Sequence, residues 1–290
     1  MPRGMEGCGL TERDGIETRD YYDYDAELID YIERLVEDSK GCLDKNTIAA
    51  LTECSLTGEG HQIVTLPDGL KAVIPCSDTP EAWANILHIY CHRDYELLDE
   101  YRPKRGWIIL DAGAYLGLYT LRAASLTSPT GVVVAVEPHP RSRRILEKNV
   151  ELNELWGIVH IDPRAVACES RYTKLYEACY PGNNSLLPEY VEKLSEKCGV
   201  VPVRTATLEE IVEDHGLREI HLLKLDIEGY EEKLLRCMRI TPMRIVVEVH
   251  PPLVDPERVS SILRERGYQV DLIARLEGYR QAIIYAKLPS

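Results

Sequence analysis

Downstream of Trp107, strand-like and helix-like runs alternate, and this alternation leaves few folds open. Strands are predicted at 107–112, 132–137, 157–162, 220–226, 243–250, 268–274 and 281–286, and helices at 117–126, 140–153, 207–215, 229–238 and 256–266. Repeated β-α units place parallel strands in one sheet and helices on both of its faces. The last two strands are joined only by residues 275–280, too few for a right-handed crossover, so they should pair as an antiparallel hairpin. The expected class is α/β, with a mainly parallel sheet that finishes in that hairpin. Residues 164–205 read as an irregular insertion around the turn Pro181-Gly182-Asn183-Asn184-Ser185.

The preceding segment has a different pattern. Residues 1–20 are polar and without period, and read as a flexible tail. Leu28, Ile29, Ile32, Leu35 and Val36 recur at helical spacing, which predicts a helix over 25–38. Asp44 can cap a second helix to about 56. Pro67-Asp68-Gly69 divides two β-rich runs and predicts a hairpin over 61–75. Thr79-Pro80 then starts a helix predicted to reach about Tyr101. Residues 21–106 are therefore read as a mostly helical N-terminal module and 107–290 as the catalytic-type domain.

Composition narrows the partners. The chain has 290 residues, 34 Lys+Arg against 48 Asp+Glu, and a formal charge of −14. An acidic surface repels phosphate backbones, which argues against nucleic acid as a partner. No apolar run approaches the roughly 18–20 residues that span a bilayer. The first residues contain no apolar signal-type segment, so a cytoplasmic protein is expected. Asn and Gln are scarce, at six and three, and charged residues make up 28%, a balance that suits a heat-adapted protein. The nine cysteines show neither C-x-x-C pairs nor zinc spacing and read mostly as buried small residues or loosely placed thiols. Disulfides do occur inside heat-adapted cells, but spacing assigns no pairing here.

The segment Ile108 to Thr120, IILDAGAYLGLYT, ends a strand in Asp111, turns through Gly113 and Gly117, and enters a helix. Open α/β sheets bind ligands at that edge. A dinucleotide G-x-G-x-x-G does not fit: one alignment puts Tyr115 against the pyrophosphate and the other puts Asp111 there. A P-loop fails because no G-K-[ST] follows. A cationic ligand without phosphate fits better. In S-adenosylmethionine, the ammonium would meet Asp111, the backbone would approach at Gly113, and the ribose hydroxyls would meet Glu137 at the end of the next strand. Solvated strand-end acids would produce the same pattern.

Three segments together resemble the FkbM family of class I S-adenosylmethionine-dependent methyltransferases: LDAGAYLGLYTLRAA (110–124), VVVAVEPHPRSRRILEKNVELN (132–153) and LLKLDIEGYEEKLL (222–235). The last carries the K-x-D-x-E-G-x-E pattern and is the most specific. The resemblance covers about 107–270. It implies a Rossmann-like class I methyltransferase fold with a seven-stranded sheet, S-adenosylmethionine as methyl donor, and usually a hydroxyl as acceptor. Carried over position by position, it places Asp111, Gly113, Ala114 and Gly117 on the cofactor loop. Glu137 and Pro138 fall at the ribose, Asp162 and Ala165 near the adenine, and Asp226, Glu228 and Gly229 on the signature. Tyr115 stands where many relatives carry Asn, and its phenol is read as packing over the cofactor.

The strand-end acids Asp111, Glu137, Asp162, Asp226, Glu228 and Glu248 are expected to converge on one crevice. Methyl transfer is an in-line displacement in which alignment supplies most of the acceleration. A hydroxyl acceptor must also lose a proton. His250 is the first candidate for that base, Glu228 the second, and Asp226 the residue that orients cofactor or acceptor. An exposed loop would equally explain His250, and a helix-dipole role Glu228. Lys224 reads as a sheet-edge or supporting residue. Asp226, Glu248 and His250 are also ligand types for a divalent metal, but no spacing signature selects them and no metal site is assigned. His88 and His92 share a helix face, as a solvated or packed pair would. The expected activity is O-methylation of a small molecule or saccharide, with residues 21–106 covering the crevice and selecting the acceptor. RNA methylation and a catalytically inactive cofactor-binding scaffold are the rivals, and oligomeric state is unreadable.

Overall fold

The structure is a computed structural model, and it describes residues 21–179, 181–194, 196–275 and 281–289. The predicted tail over 1–20 and most of the last hairpin turn lie outside the described residues.

Helices α1 (Tyr21–Ser39) and α2 (Lys45–Thr57) come first. The Asp44 carboxylate accepts from the backbone N–H of Asn46 and Thr47 at 2.9 and 3.1 Å, which satisfies two donors at the start of α2. Strands β1 (His61–Thr65) and β2 (Lys71–Pro75) form the expected hairpin, and Gly69 N–H closes its turn on Leu66 O at 2.9 Å. Helix α3 (Thr79–Ile86) continues into a wide π-helical turn over Leu87–His92. It stops there, short of the predicted Tyr101. Arg93 has φ 58 and turns the chain, so that Asp94, Tyr95 and Glu96 all face inward with at most 9% exposure. Glu96 is held by a two-pronged ion pair with Arg122 at 2.9 and 2.8 Å.

The remaining elements follow in alternation: β3 (Ile108–Ala112), α4 (Leu118–Thr127), β4 (Val132–Val136), α5 (Pro140–Leu152) and β5 (Val159–Asp162). Next come β6 (Ala165–Val166), β7 (Tyr172–Ala178), α6 (Pro188–Leu194), β8 (Lys197–Ala206) and α7 (Leu208–Asp214). The series ends with β9 (Leu222–Leu225), α8 (Glu231–Cys237), β10 (Arg244–Val249), α9 (Pro256–Glu265), β11 (Gln269–Arg275) and β12 (Ala282–Lys287). The main sheet has seven strands in the order β11-β12-β10-β9-β3-β4-β5. It is parallel except at β12, which runs antiparallel to both β10 and β11. This is the class I methyltransferase arrangement expected from the sequence.

One face of the sheet packs on α4, α5 and the N-terminal elements around Trp83, Tyr101 and Tyr285, all fully buried. The other packs on α7, α8 and α9. The N-terminal hairpin docks by backbone recognition. Asn149 on α5 accepts from Val73 N–H at 2.7 Å and donates to Leu116 O at 2.8 Å. One turn later, Asn153 pairs with the backbone of Lys71 in the same way.

Two expectations need correction. The insertion is not irregular, because β6, β8 and β7 form a second sheet of three strands. Strands β7 and β8 leave most of their side chains exposed or half-buried, so the hydrophobic alternation that reveals a strand is weak there. Nor are the described cysteines free thiols. Four disulfides join Cys42 to Cys91, Cys54 to Cys76, Cys168 to Cys237 and Cys179 to Cys198, with Cα separations of 4.7–5.7 Å. Their partners lie 19–69 residues apart, so no local motif announces them.

The Cys168–Cys237 link closes 69 residues and ties the insertion to α8. A loop of that length restricts the unfolded chain by about 4 kcal/mol in the chain-entropy account. The double variant Cys168→Ser, Cys237→Ser should lose about 2–4 kcal/mol of unfolding free energy in guanidinium titration. An unchanged midpoint would show that the link contributes nothing.

Candidate active site

The strand order reverses between β3 and β9, and their outgoing loops meet at the carboxyl edge of the sheet. Gly113 has φ +84, and a Cβ there would lie 1.7 Å from the carbonyl oxygen of Asp226. Only glycine fits between the loops. Gly117 has the same φ and abuts Leu146 of α5, which lets α4 start tight against α5. A cavity of about 290 Å3 opens at this point. Its floor is Gly113, Tyr115, Glu137 and Pro138, and its apolar wall includes Ala165, Val166, Leu175 and Leu186. Asp226, Glu228, Glu248 and His88 line the opposite end.

Lys224 organises the floor from below. Its side chain is almost wholly buried, with Nζ 3.3 Å from both Asp111 Oδ1 and Asp226 Oδ2 and donating to Gly113 O at 2.9 Å. Burial opposes its charge, but the carboxylates of Asp111, Asp226 and Glu248 prevail and hold it firmly protonated. Glu137 accepts from Tyr115 N–H at 2.7 Å and from His139 N–H at 2.8 Å. Burial pushes its carboxyl up to about 7, against those two donors.

At the acidic end, Tyr190 donates to Glu228 and Tyr95 donates to Glu248. Burial raises both carboxyl groups above their ordinary range, although His250 opposes the rise. Glu231, fully buried, accepts from Gly229 N–H at 3.0 Å and fixes the signature turn. Asp226 Oδ1 is buried without a hydrogen-bond partner.

Among the residues assigned from the sequence to cofactor or catalysis, Gly113, Tyr115, Glu137, Pro138, Ala165, Asp226 and Glu228 line the cavity. Others do not. Asp111 is fully buried beneath the floor, bound to Thr120 at 2.6 Å and to Lys224, so it cannot meet a ligand directly. Ala114 and Gly117 shape the turn from behind it. Asp162 faces away from the cavity, held by Arg164 at 2.6 Å and by His215 at 3.2 Å. His250 is neither exposed nor a free base. It is 3% exposed, behind the acids, with Nδ1 3.2 Å from Glu231 and Nε2 3.4 Å from Glu228. Burial opposes its charge, but Glu228, Glu231 and Glu248 raise its proton affinity well above the usual imidazole range. The acids thus stand between His250 and the cavity, and it is not among the residues that line it.

Other residues complete the site. Of the two readings of Lys224, the supporting one holds: β9 is flanked on both sides, and the acids Asp111 and Asp226 accommodate its ammonium. Tyr95 and Tyr190 come from distant segments that only the fold brings together. Glu81 of α3 lines the cavity and accepts from Gly182 N–H at 3.1 Å, and burial raises its carboxyl to about 7. Asn184 braces the insertion turn by accepting from Ala178 N–H at 2.9 Å, and Ser185 donates to Glu228 O at 2.6 Å.

Comparison with known proteins places this geometry. Residues 111–270 match the family described as the methyltransferase FkbM domain. The chain is 27% identical over 191 residues to methyltransferase sdnD of Sordaria araneosa, spanning 56% of this chain and 73% of that protein. It is 24% identical over 180 residues to methyltransferase 1 of Beauveria bassiana, spanning 56% and 72%. Among solved structures, it is similar to a methyltransferase FkbM from Methylobacillus flagellatus, with a TM-score of 0.47, 13% identity, and coverage of 92% of this chain and 60% of that one.

The contact between the β3 and β9 loops should be intolerant of any side chain. Gly113→Ala must displace the Asp226 carbonyl and hold a left-handed backbone, at a cost of about 1–3 kcal/mol for the conformation alone. A thermal midpoint equal to wild type would refute the packing described.

Proposed function

Because the chain belongs to the methyltransferase FkbM domain family, whose members are S-adenosylmethionine-dependent methyltransferases, we propose that it methylates a hydroxyl group of a small molecule or saccharide. The observation that carries this reading is the Glu228 carboxyl: it lines the cavity, is steadied by Tyr190, and has a raised proton affinity. A buried carboxylate of that kind suits removal of a hydroxyl proton near neutral pH.

The residues present fit the cofactor. Gly113 leaves room for close approach between the loops, and Asp226, which lines the cavity, offers a carboxylate to a cation. When bound, S-adenosylmethionine supplies an activated methyl group on a positively charged sulfur. Glu137 would accept from the ribose hydroxyls, while Pro138, Ala165, Val166 and Leu175 would cover the purine. Asp226 would hold the ammonium end. A cation among Asp226, Glu228 and Glu248 offsets the repulsion of carboxylates gathered at one end.

Glu228 would take the proton of the acceptor hydroxyl while that oxygen gains the methyl group, the electrons of the broken carbon–sulfur bond remaining with S-adenosylhomocysteine as the leaving thioether. His250 positions Glu228 from behind and does not itself exchange the proton. We assign acceptor selection to the N-terminal residues 21–106, through Glu81, Ala84, Asn85 and His88 of the α3 region, and to the insertion turn at Gly182–Asn184. The methyltransferase unit is then 107–290. The formal charge of −14 favours a small acceptor over RNA.

Transfer of labelled methyl to a panel of hydroxylated small molecules and saccharides tests the acceptor class. Product labelled only at nitrogen, or no transfer despite cofactor binding, would defeat the proposal. In Glu228→Gln, turnover should fall by about 10²–10⁴-fold with affinity for S-adenosylhomocysteine retained. A second expectation comes from Glu137, whose carboxyl titrates at about 7. Below that pH it is protonated and loses acceptor capacity for the ribose. Calorimetric affinity for S-adenosylhomocysteine should therefore strengthen by about tenfold from pH 6 to 8 in wild type, and stay flat in Glu137→Gln.

A further inference from the structure

We propose that His88, His92 and Asp94 bind a divalent transition-metal ion at the rim of the cavity. Each offers a ligand atom, and the three atoms lie within 4.8 Å of one another. The backbone explains their convergence. His88 and His92 sit on the wide π-helical turn, and Arg93 then reverses the chain with φ 58. Asp94 N–H donates to His88 O at 2.9 Å, which swings the Asp94 side chain back onto the histidines. Asp94 Oδ2 is 2.5 Å from His88 Nδ1 and 3.9 Å from His92 Nδ1. Zinc–nitrogen and zinc–oxygen bonds of about 2.0–2.2 Å require donor atoms about 3.3 Å apart, which lies between these two distances.

The turn is anchored on both sides. Cys91, between the two histidines, is bonded to Cys42, and the Asp94 carbonyl accepts from the buried Tyr285 hydroxyl. A preorganised set of this kind binds metal without a large ordering cost. Two imidazoles with one carboxylate suit zinc, iron, cobalt or nickel more than magnesium or calcium. Three protein ligands also leave a coordination position for another oxygen. His92 is 46% exposed and gives access from solvent, while His88 faces the cavity. The ion would take the place of the hydrogen bond between His88 Nδ1 and Asp94 Oδ2.

That the ion serves the acceptor, by binding its oxygen, rests on the hydroxyl-methylation reading. Ion binding itself does not. Among the described residues, the other cluster of ligand-type groups, Asp226, Glu228 and His250, belongs to the acidic end already described.

The test uses Co²⁺ on the full-length, chelator-treated chain. One equivalent should bind, develop visible d–d absorption and be displaced by Zn²⁺. His92→Ala should weaken Co²⁺ binding by about 10–100-fold or more, while Glu228→Gln should leave it unchanged. Zn²⁺ should also protect His92 from diethylpyrocarbonate in wild type, a readout independent of how the variant folds. Absence of Co²⁺ absorption, unprotected His92, or loss of binding in Glu228→Gln with retention in His92→Ala would each overturn the proposal. Binding of S-adenosylhomocysteine by the same metal-stripped sample is scored separately. Its failure would count against the methyltransfer reading and not against the metal site.

Discussion

A single buried ammonium holds the carboxyl edge of this sheet together. Lys224 on β9 reaches across to β3, between Asp111 below and Asp226 above, and binds the carbonyl of Gly113. Its charge also lies over the rings of Tyr95 and Tyr119, at 5.4 and 5.9 Å. Removing one partner of such a buried set typically costs about 3–5 kcal/mol, because the remaining charges stay buried and uncompensated. The two loops that frame the cavity are therefore tied through one side chain. The bare Gly113 backbone is what lets them touch.

The same economy of charge governs the acidic end. Glu228, Glu231, Glu248 and Asp226 surround His250, and that imidazole is what allows so many carboxyl groups within 4 Å of one ring. Tyr95 and Tyr190 add neutral donors that steady Glu248 and Glu228 without altering net charge. The cavity thus has a polar floor at Glu137, an apolar wall from the second sheet, and an anionic end. This division suits a ligand with a ribose, a flat ring and a positive charge.

Most of the architecture was legible in the sequence because it follows from period and connection length. The short link before β12 required an antiparallel partner, and the alternation over 107–266 required the parallel sheet. The floor was legible too, since glycines at 113 and 117 and an acid at 137 have direct physical reasons. What stayed hidden depends on tertiary contact. Asp111 and Asp162 carry the right residue type at a strand end, yet their partners, Lys224, Thr120, Arg164 and His215, turn them away from the cavity. His250 looked like a base because its four acidic neighbours come from β10 and from the turn and helix after β9. The α3 region ends earlier than predicted because Arg93 takes a left-handed backbone, and the partners that hold Asp94, Tyr95 and Glu96 beyond it, Tyr285, Glu248 and Arg122, are distant in sequence. The disulfides and the second sheet were missed for the same reason, since neither long-range pairing nor a largely exposed strand leaves a periodic trace.

The position of β12 has a consequence for biogenesis. It follows β11 in the chain, yet it inserts between β10 and β11. As the polypeptide leaves the ribosome, β10 presents an open edge until residues 282–287 emerge, and β11 has no place to dock before then. Unpaired strand edges invite association with other nascent chains. The central strands β3, β4, β5 and β9 can assemble during synthesis, but closure of this side of the sheet must wait for its final insertion.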